Sequence, residues 1–349
     1  MIAGNNTLSF DPLRMLEWID QIFGTISDKM HAIGRKALKN LIVHNKHYLN
    51  FLQYAIDECL VPDRPKALES YLDVVHNVLS EHEEYPLPFW RVLGMLLVIL
   101  GNDKATIRAK SARLLRVLEE RQQKSSRLQD FDISISDGTT AVYKLAQYQI
   151  SERLANQHSS LALFVFSQFS LQFKNTHAEN QRNMVAVILP WIKVIELELE
   201  PNGGPTPGPT PQTYMVLVNL LEMTTRLSNA FHNEVQAFWQ ALSSGPHGGN
   251  VQLILEFVIE LCIERKEQSF VDYAKQIVVH LSGTPAGQKV IDFLLLQITP
   301  RSMVHSEKAK RPTRSNSTNM PYVADIAEAL PSGNKQVCYY IVLNQVCTY

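Results

Sequence analysis

The stretch NDKATIRAKSARLLRVLEER, residues 102–121, indicates the fold more directly than any other part of the sequence. Its apolar residues recur at steps of three and four, which is the spacing of one face of an α-helix. On this helix Ile107 and Leu114 are predicted to face inward, with Arg108 following the buried isoleucine. Asp103 is expected to cap the N-terminus, because a short acidic side chain accepts hydrogen bonds from the first turn.

The same helical period recurs along most of the chain. DKMHAIGRKALKNLI, residues 28–42, echoes the first stretch. The predicted apolar stripe of this second helix consists of Met30, Ile33, Ala37, Leu41 and Ile42. Paired helices recur about every 35–50 residues, which is the range of HEAT and armadillo repeats. We therefore predict an all-α fold over residues 1–300, an α-solenoid of HEAT/armadillo-like helical hairpins, in preference to a closed helical bundle.

Three segments depart from this simple pattern. LALFVFSQFSLQF, residues 161–173, shows both strand-like alternation and a helical face, and its helical neighbours favour a helix. The polar stretch RLQDFDISISDG, residues 127–138, is predicted to be an extended connector. Residues 200–212 are rich in proline and glycine, so we expect a flexible loop between two helices.

The C-terminal part of the chain is predicted to lie outside the repeats. Residues 301–320 are basic, rich in Ser and Thr and poor in large apolar residues, so we expect a disordered linker. Within it, Arg314-Ser315-Asn316-Ser317 places an arginine three residues before a serine, a spacing that many basophilic kinases accept. Arg314, Ser315 and Ser317 are therefore a candidate phosphosite region, with an unmodified solubilising linker as the alternative.

Composition places the chain among cytoplasmic globular proteins. Lys and Arg total 33 and Asp and Glu total 34 in 349 residues, and this balance gives no reason to expect a nucleic acid or an anionic membrane as partner. Four cysteines without a CxxC pair suit a reducing compartment. No signal peptide is recognisable, and the most apolar stretch, residues 89–100, is too short to span a bilayer. We expect no transmembrane segment.

No catalytic motif is recognisable, so no catalytic, cofactor-binding or metal-binding residue is predicted and the chain is not expected to be an enzyme. The glycine-rich stretch 245–249 precedes a helix, and a helix-entry turn capped by Asn250 is preferred there over a phosphate-binding loop. His44 and His47 share a helix face without further metal ligands nearby. Lone Cys59 and Cys262 lie on apolar stripes, where a thiol behaves as a small hydrophobic side chain.

The segment following residue 184 is the best candidate for a partner surface. Pro190 is expected to bend or restart the helix over residues 184–195. Trp191 suits either an inter-repeat seam or a partner groove, and buried packing is the preferred alternative. Glu196 and Glu198 then form a solvated acidic fringe at the end of the helix. Trp191, Glu196 and Glu198 are therefore the predicted partner surface.

Four longer segments resemble the Furry family of cell-morphogenesis proteins, specifically its filamentous-fungal members. They are FWRVLGMLLVILGNDKATIRAKSARLLRVLEER (residues 89–121), QRNMVAVILPWIKVIEL (181–197), GPHGGNVQLILEF (245–257) and YAKQIVVHLSGTPAG (273–287). The resemblance implies a non-enzymatic scaffold that supports NDR-type kinases and their Mob coactivators in polarised growth and cell separation. It also implies a cytoplasmic location at the cell cortex or at sites of polarised growth.

Family members are far longer, so the resemblance implies that this chain is an internal piece that adjoins the remaining repeats of a full-length scaffold. The resemblance continues through residues 321–336, the start of a further family segment, and stops before residue 337. We attribute the apolar tail, residues 337–349, to a truncated or mis-spliced gene model. Unstacked terminal repeats are expected to make the isolated chain prone to aggregation. The alternative function is a HEAT-type transport or cargo adaptor that binds linear peptides through ladders of Trp and Asn.

Overall fold

The computed structural model describes residues 11–46, 50–61, 64–83, 85, 87–124, 126–173, 176, 178–200, 208–227, 232–265 and 268–298. Across these ranges the regular structure consists of α-helices, two short 3-10 segments and one isolated antiparallel bridge, between Leu199 and Pro209. The predicted all-α class is confirmed. Residues 301–349, including Arg314, Ser315 and Ser317, lie outside the described part, as does His47.

The described residues contain fifteen α-helices. They are α1 Pro12–Phe23, α2 Asp28–His44, α3 Asn50–Glu58, α4 Pro65–Glu81, α5 Phe89–Ile99, α6 Ala105–Arg121, α7 Asp132–Ser136, α8 Thr140–Gln157, α9 Ala162–Phe173, α10 Ala178–Lys193, α11 Pro211–Leu227, α12 His232–Ser244, α13 Asn250–Arg265, α14 Gln268–Ser282 and α15 Gly287–Ile298. The 3-10 segments are Leu128–Phe131 and Ser159–Leu161.

The chain divides into two compact units, Met1–Trp191 (unit 1) and Ile192–Tyr349 (unit 2). In unit 1, α2 packs on α4 and α4 on α6, while α3 packs on α5 and α5 on α9. Neighbouring helices along the chain also pack on each other, as α3 does on α4 and α5 on α6. Helices therefore form two layers of successive hairpins, which is how a helical solenoid is stacked.

Unit 2 repeats the same rule of packing. Each of its helices α11 to α14 packs on the next one along the chain. In addition α12 packs on α14, and α13 packs on α15. Every second helix thus lies beside its equivalent in the next hairpin, so unit 2 is also built from stacked hairpins.

Helix α6 bears out the inward face predicted for residues 102–121, but its beginning differs. Ile107 and Leu114 are buried. The helix begins at Ala105, and Lys104 precedes it without any side-chain capping bond. Asp103 is not the cap, because its Oδ1 atom accepts a hydrogen bond from the Tyr143 hydroxyl at 3.0 Å. The predicted cap was wrong, since a distant tyrosine competes for this carboxylate.

Helix α2 buries a different face from the predicted stripe. Leu41 and Ile42 are buried, but Met30 and Ile33 are exposed, with 58% of Ile33 accessible to solvent. The buried face instead includes Gly34, where a Cβ atom would lie only 2.6 Å from a ring carbon of Phe23. The missing side chain lets α1 approach α2 closely, and this contact determines which face of α2 turns inward.

Two of the ambiguous segments are helical. Residues 162–173 form α9, as its helical face predicted. The expected extended connector at 127–138 contains instead a 3-10 segment and helix α7, because Leu128, Phe131 and Ile135 recur at helical steps and are all buried. The prediction of an extended connector was therefore wrong.

Candidate functional site

Trp191 lies wholly inside unit 1 and presents no surface to a partner. Its indole Nε1 donates to the Ser151 hydroxyl at 3.0 Å, and that hydroxyl donates to the backbone oxygen of Val187 at 2.6 Å. Helix α10 continues through Pro190 rather than restarting after it. Of the two alternatives for Trp191, the structure shows packing, so this residue is removed from the predicted partner surface.

The acidic residues that follow lie in unit 2, on an extended stretch that we call the acidic segment, residues 195–200. Ile195 and Leu197 are buried, whereas Glu196 and Glu198 are exposed. Successive side chains of extended backbone point to opposite sides. The two apolar residues therefore fix the segment to unit 2, and the two glutamates face solvent on its other side.

A short pairing with residues 208–210 fixes the outer end of the acidic segment. The Glu200 N–H donates to the Gly208 oxygen at 2.9 Å, and the Thr210 N–H donates to the Glu198 oxygen at 2.9 Å. The Thr213 hydroxyl accepts from the Glu198 N–H at 2.7 Å. The loop predicted over residues 200–212 is thus paired at its base, and its last two residues already belong to α11.

Asn250 fixes the inner end of the acidic segment. It is wholly buried at the beginning of α13. Its Oδ1 atom accepts from the Leu197 N–H at 2.9 Å, and its Nδ2 atom donates to the Ile195 and Leu242 oxygens, each at 2.9 Å. The sequence predicted a helix cap here. The structure shows a carboxamide that joins three chain segments, because its donors and acceptor are all taken by backbone outside α13.

The acidic segment presents negative charge to solvent. Glu196 Oε2 lies 3.4 Å from His247 Nδ1, so its charge is offset when that histidine is protonated. In extended backbone, the Cα atoms of residues two apart are separated by about 6.5 Å, so Glu196 and Glu198 present two neighbouring carboxylates on the same side of the segment. Lysine or arginine side chains of a partner would pair with them without rearranging the backbone that carries them.

The residues considered for chemistry are not assembled into a reactive site. Among the described residues, no three His, Cys, Asp or Glu side chains are grouped as a metal site requires. Cys59 and Cys262 are buried, and burial raises the pKa of the Cys59 thiol well above its ordinary value. A protonated thiol is neither a nucleophile nor a metal ligand. His44 is exposed at the end of α2.

Tryptophans do not form the ladder that a peptide-binding adaptor would need. Trp191 and Trp239 are both completely buried, and the Trp239 indole donates to the Thr224 hydroxyl at 2.9 Å. Trp18 is half exposed on α1 and Trp90 stacks against Phe164.

In the part of the chain that the structure describes, no helix has both the length and the apolar composition needed to cross a membrane.

Comparison with known proteins places the chain in a family. Residues 26–334 match the family described as the cell morphogenesis central region. The chain is 25% identical over 331 residues to the cell polarity protein mor2 of Schizosaccharomyces pombe. The aligned region covers 95% of this chain and 15% of that protein. It is also 25% identical over 335 residues to the cell morphogenesis protein PAG1 of Saccharomyces cerevisiae. That aligned region covers 95% of this chain and 14% of PAG1.

The chain spans about one seventh of the length of these curated relatives. The predicted resemblance to the Furry family is confirmed by the family match and by both relatives. Because the match extends over most of the 349 residues, this chain belongs to the Furry-type cell-morphogenesis family, in its central region.

Proposed function

We propose that this chain is a non-enzymatic scaffold segment that holds an NDR-type kinase and its Mob coactivator during polarised growth and cell separation. It would act in the cytoplasm, at the cell cortex or at sites of growth, as one section of a longer array of repeats. Stacked helical hairpins present extended surfaces for such partners. The names of the two relatives, a polarity protein and a morphogenesis protein, support this setting.

One observation supports the proposal more than any other. The acidic segment is exposed but rigidly held, since buried Asn250 bonds one end and the pairing with residues 208–210 holds the other. A charged surface that is already ordered loses little conformational entropy when it binds. We therefore assign Glu196 and Glu198 as a docking surface for a basic patch on the kinase and coactivator assembly.

A binding measurement with purified components tests this assignment. We expect the chain to bind an NDR-type kinase with Mob, and Glu196→Lys with Glu198→Lys to weaken binding by at least about tenfold. Glu17→Lys with Glu83→Lys is the matched control, because both glutamates are exposed in unit 1. It should change affinity by less than about twofold. Failure of the folded chain to bind, or equal losses in both double variants, would contradict the assignment.

The stretch containing Arg314, Ser315 and Ser317 is proposed as a regulatory phosphosite. A phosphate there would add about −1.5 to −2 charges to a basic stretch. Mass spectrometry of the chain purified from fungal cells, with and without phosphatase treatment, would detect it. A fully unmodified peptide at high coverage would favour the solubilising-linker alternative.

A further inference from the structure

Unit 1 contains an open polar cavity of about 340 Å³ that the proposed kinase scaffold does not use. Its lining residues are Ser126, Arg127, Asp130, Arg153 and Gln157, and we call it the Arg153 cavity. The volume lies at the lower end of the range for small-molecule sites. Such a cavity accommodates a small charged group together with part of the molecule that carries it.

Arg153 is held in a fixed position at this cavity. Its Nη1 atom donates to the Ser126 oxygen at 2.9 Å, to the Arg127 oxygen at 3.2 Å and to Asp130 Oδ2 at 3.2 Å. The guanidinium carbon also lies 4.6 Å from the centre of the Phe131 ring. Neither Nη2 nor Nε has an acceptor within the described ranges. The side chain is therefore ordered while part of its donor capacity is unused.

Positive charge exceeds negative charge around the cavity. Arg127 is exposed, and within the described part of the chain its side chain has no hydrogen-bond or ion-pair partner. Lys124 does not line the cavity itself, but its Nζ atom donates to the backbone oxygen of the lining residue Gln157 at 2.6 Å. Against these three cations, the residues that line the cavity supply one carboxylate, that of Asp130. An anion with two charges would balance the surplus.

The backbone is arranged to keep both arginines at the cavity. Arg127 has φ 48° and ψ 45°, the left-handed region that a residue with a Cβ atom rarely adopts. This turn brings the oxygens of Ser126 and Arg127 to one nitrogen of Arg153. The unfavourable conformation is thus coupled to the same hydrogen bonds that position the guanidinium.

We propose that the Arg153 cavity binds a phosphate group, free or as a monoester, with Arg153 and Arg127 as its principal ligands and Asp130 as a competing internal anion. Guanidinium groups match the oxygens of phosphate in pairs and carry their charge at every physiological pH. When the cavity is empty, Asp130 forms an ion pair with the Arg153 guanidinium. The incoming phosphate displaces the Asp130 carboxylate and pairs with that guanidinium instead. The shared chemistry covers free phosphate and a phosphorylated serine or threonine side chain.

Calorimetric titration of the full chain with O-phosphoserine tests the proposal. We expect saturable binding with a Kd below about 1 mM at about pH 7.5. Binding should weaken at about pH 5.5, because the second phosphate pKa lies near 6. Arg153→Lys should raise the Kd by about tenfold or more, since lysine keeps the charge but loses the paired donors.

Two further variants separate ligand binding from folding. Arg127→Gly removes a cation while relieving the left-handed backbone, so the chain should stay folded and the Kd should rise by about threefold or more. Asp130→Asn should lower the Kd by about threefold or more, because the internal competitor loses its charge. Lys36→Ala, an exposed cation on α2, is the matched control and should leave the Kd unchanged.

Three ligands distinguish the source of the phosphate. They are inorganic phosphate, O-phosphoserine and a peptide of residues 310–320 phosphorylated on Ser315. Equal affinity for all three would show that the cavity recognises the phosphate group alone, so that free phosphate suffices, whereas about tenfold tighter binding of the peptide would identify a phosphorylated chain. Absence of saturable binding for all three, or a Kd that Asp130→Asn and Arg127→Gly leave unchanged, would overturn the proposal.

Discussion

Arg108 in unit 1 and Asn250 in unit 2 are both wholly buried polar side chains, and both bond backbone that lies far away in the sequence. Arg108 donates to the oxygens of Asn102, Asp103, Ile135 and Asp137 over distances of 2.5–2.9 Å. Its guanidinium carbon lies 3.9 Å from the centre of the Tyr143 ring. Asn250 makes three bonds, two as a donor and one as an acceptor.

The difference between these two residues lies in charge. Arg108 brings a full positive charge into the interior, where its hydrogen bonds go to four carbonyl oxygens and its guanidinium lies on an aromatic face. Hydrogen bonds from Thr139 lower the pKa of the Asp137 carboxyl, and the charge of Arg108 also contributes to lowering it. Asn250 is neutral and exchanges bonds in both directions. A buried charge costs more to transfer from water than a neutral amide does, so its environment must be more complete. We therefore expect Arg108 to be less tolerant of substitution than Asn250.

Arg108→Ala should have the largest effect. The substitution leaves four carbonyl oxygens without a donor and opens a cavity, so unit 1 should lose at least about 4 kcal/mol of unfolding free energy. Arg108→Lys should lose about 2–3 kcal/mol, because it keeps the charge but bonds fewer oxygens. Urea unfolding combined with hydrogen exchange at α6 and α7 measures both. A loss below about 1 kcal/mol for the alanine variant would show that water replaces the guanidinium.

Asn250→Ala should have the next largest effect, about 2–3 kcal/mol in unit 2, because three backbone groups lose their partner. Asn250→Asp is the informative control. It keeps the shape and the acceptor for Leu197, but it places a carboxylate against the Ile195 and Leu242 oxygens, so it should be at least as destabilising as alanine. Hydrogen exchange at residues 195–200 is the local measurement. Unchanged protection there in both variants would show that Asn250 does not hold the acidic segment.

The sequence predicted the helices far better than it predicted the long-range hydrogen bonds of Arg108 and Asn250, which we call the buried anchors. The steps of three and four in residues 102–121 concern one helix and its own inward face, and Ile107 and Leu114 lie where they indicated. The Arg108 acceptors at Ile135 and Asp137 lie 27 and 29 residues further on, beyond any local period. Asn250 bonds backbone 53 and 55 residues before it. Local periodicity carries no information about which distant segments meet.

The predicted partner surface shows the same limit. Glu196 and Glu198 are exposed, as expected for carboxylates that follow the apolar end of a helix. Trp191 is buried and bonds Ser151, 40 residues earlier, a contact that the pattern of its own helix does not predict. The predicted buried stripe of α2 was wrong for a related reason. Gly34 lets the Phe23 ring pack closely against α2, and Ile33 is exposed. Contacts between helices, rather than the pattern within one helix, decided each of these outcomes.

His280 in unit 2 is also a buried polar side chain, but it differs from Arg108 and Asn250 because one of its ring nitrogens lacks a hydrogen bond to any described residue. Its Nε2 atom has no hydrogen-bond partner among the described residues. Burial, with a smaller contribution from the neighbouring His232, lowers the His280 pKa from 6.5 to about 4. A lowered folded-state pKa means that the unfolded chain binds the proton more readily, so stability is complete above pH 6.5 and declines as pH falls towards 4.

His280→Phe should therefore be neutral near pH 7 and stabilising at acidic pH. The gain should be about 2 kcal/mol near pH 4.5, because most of the interval between the ordinary pKa of 6.5 and the folded-state pKa of about 4 has been crossed there. Thermal unfolding of the full chain and of the variant between about pH 7 and 4.5 measures the difference. His44→Phe is the control, since His44 is exposed. A Tm difference that does not depend on pH would show that His280 acts through packing alone.

Lys66→Ala should have the smallest effect, although Lys66 also bonds distant backbone. Its Nζ atom donates to the Ile26 oxygen at 3.1 Å and to Asp28 Oδ1 at 3.3 Å, but 51% of the Lys66 side chain and 93% of that of Asp28 are exposed. Water replaces lost partners at an exposed site, so we expect a change within about 0.5 kcal/mol. Urea unfolding measured in parallel with Arg108→Ala makes the comparison direct. A loss approaching that of the buried anchors would mean that the contact with a distant segment, rather than burial, determines what these polar side chains contribute.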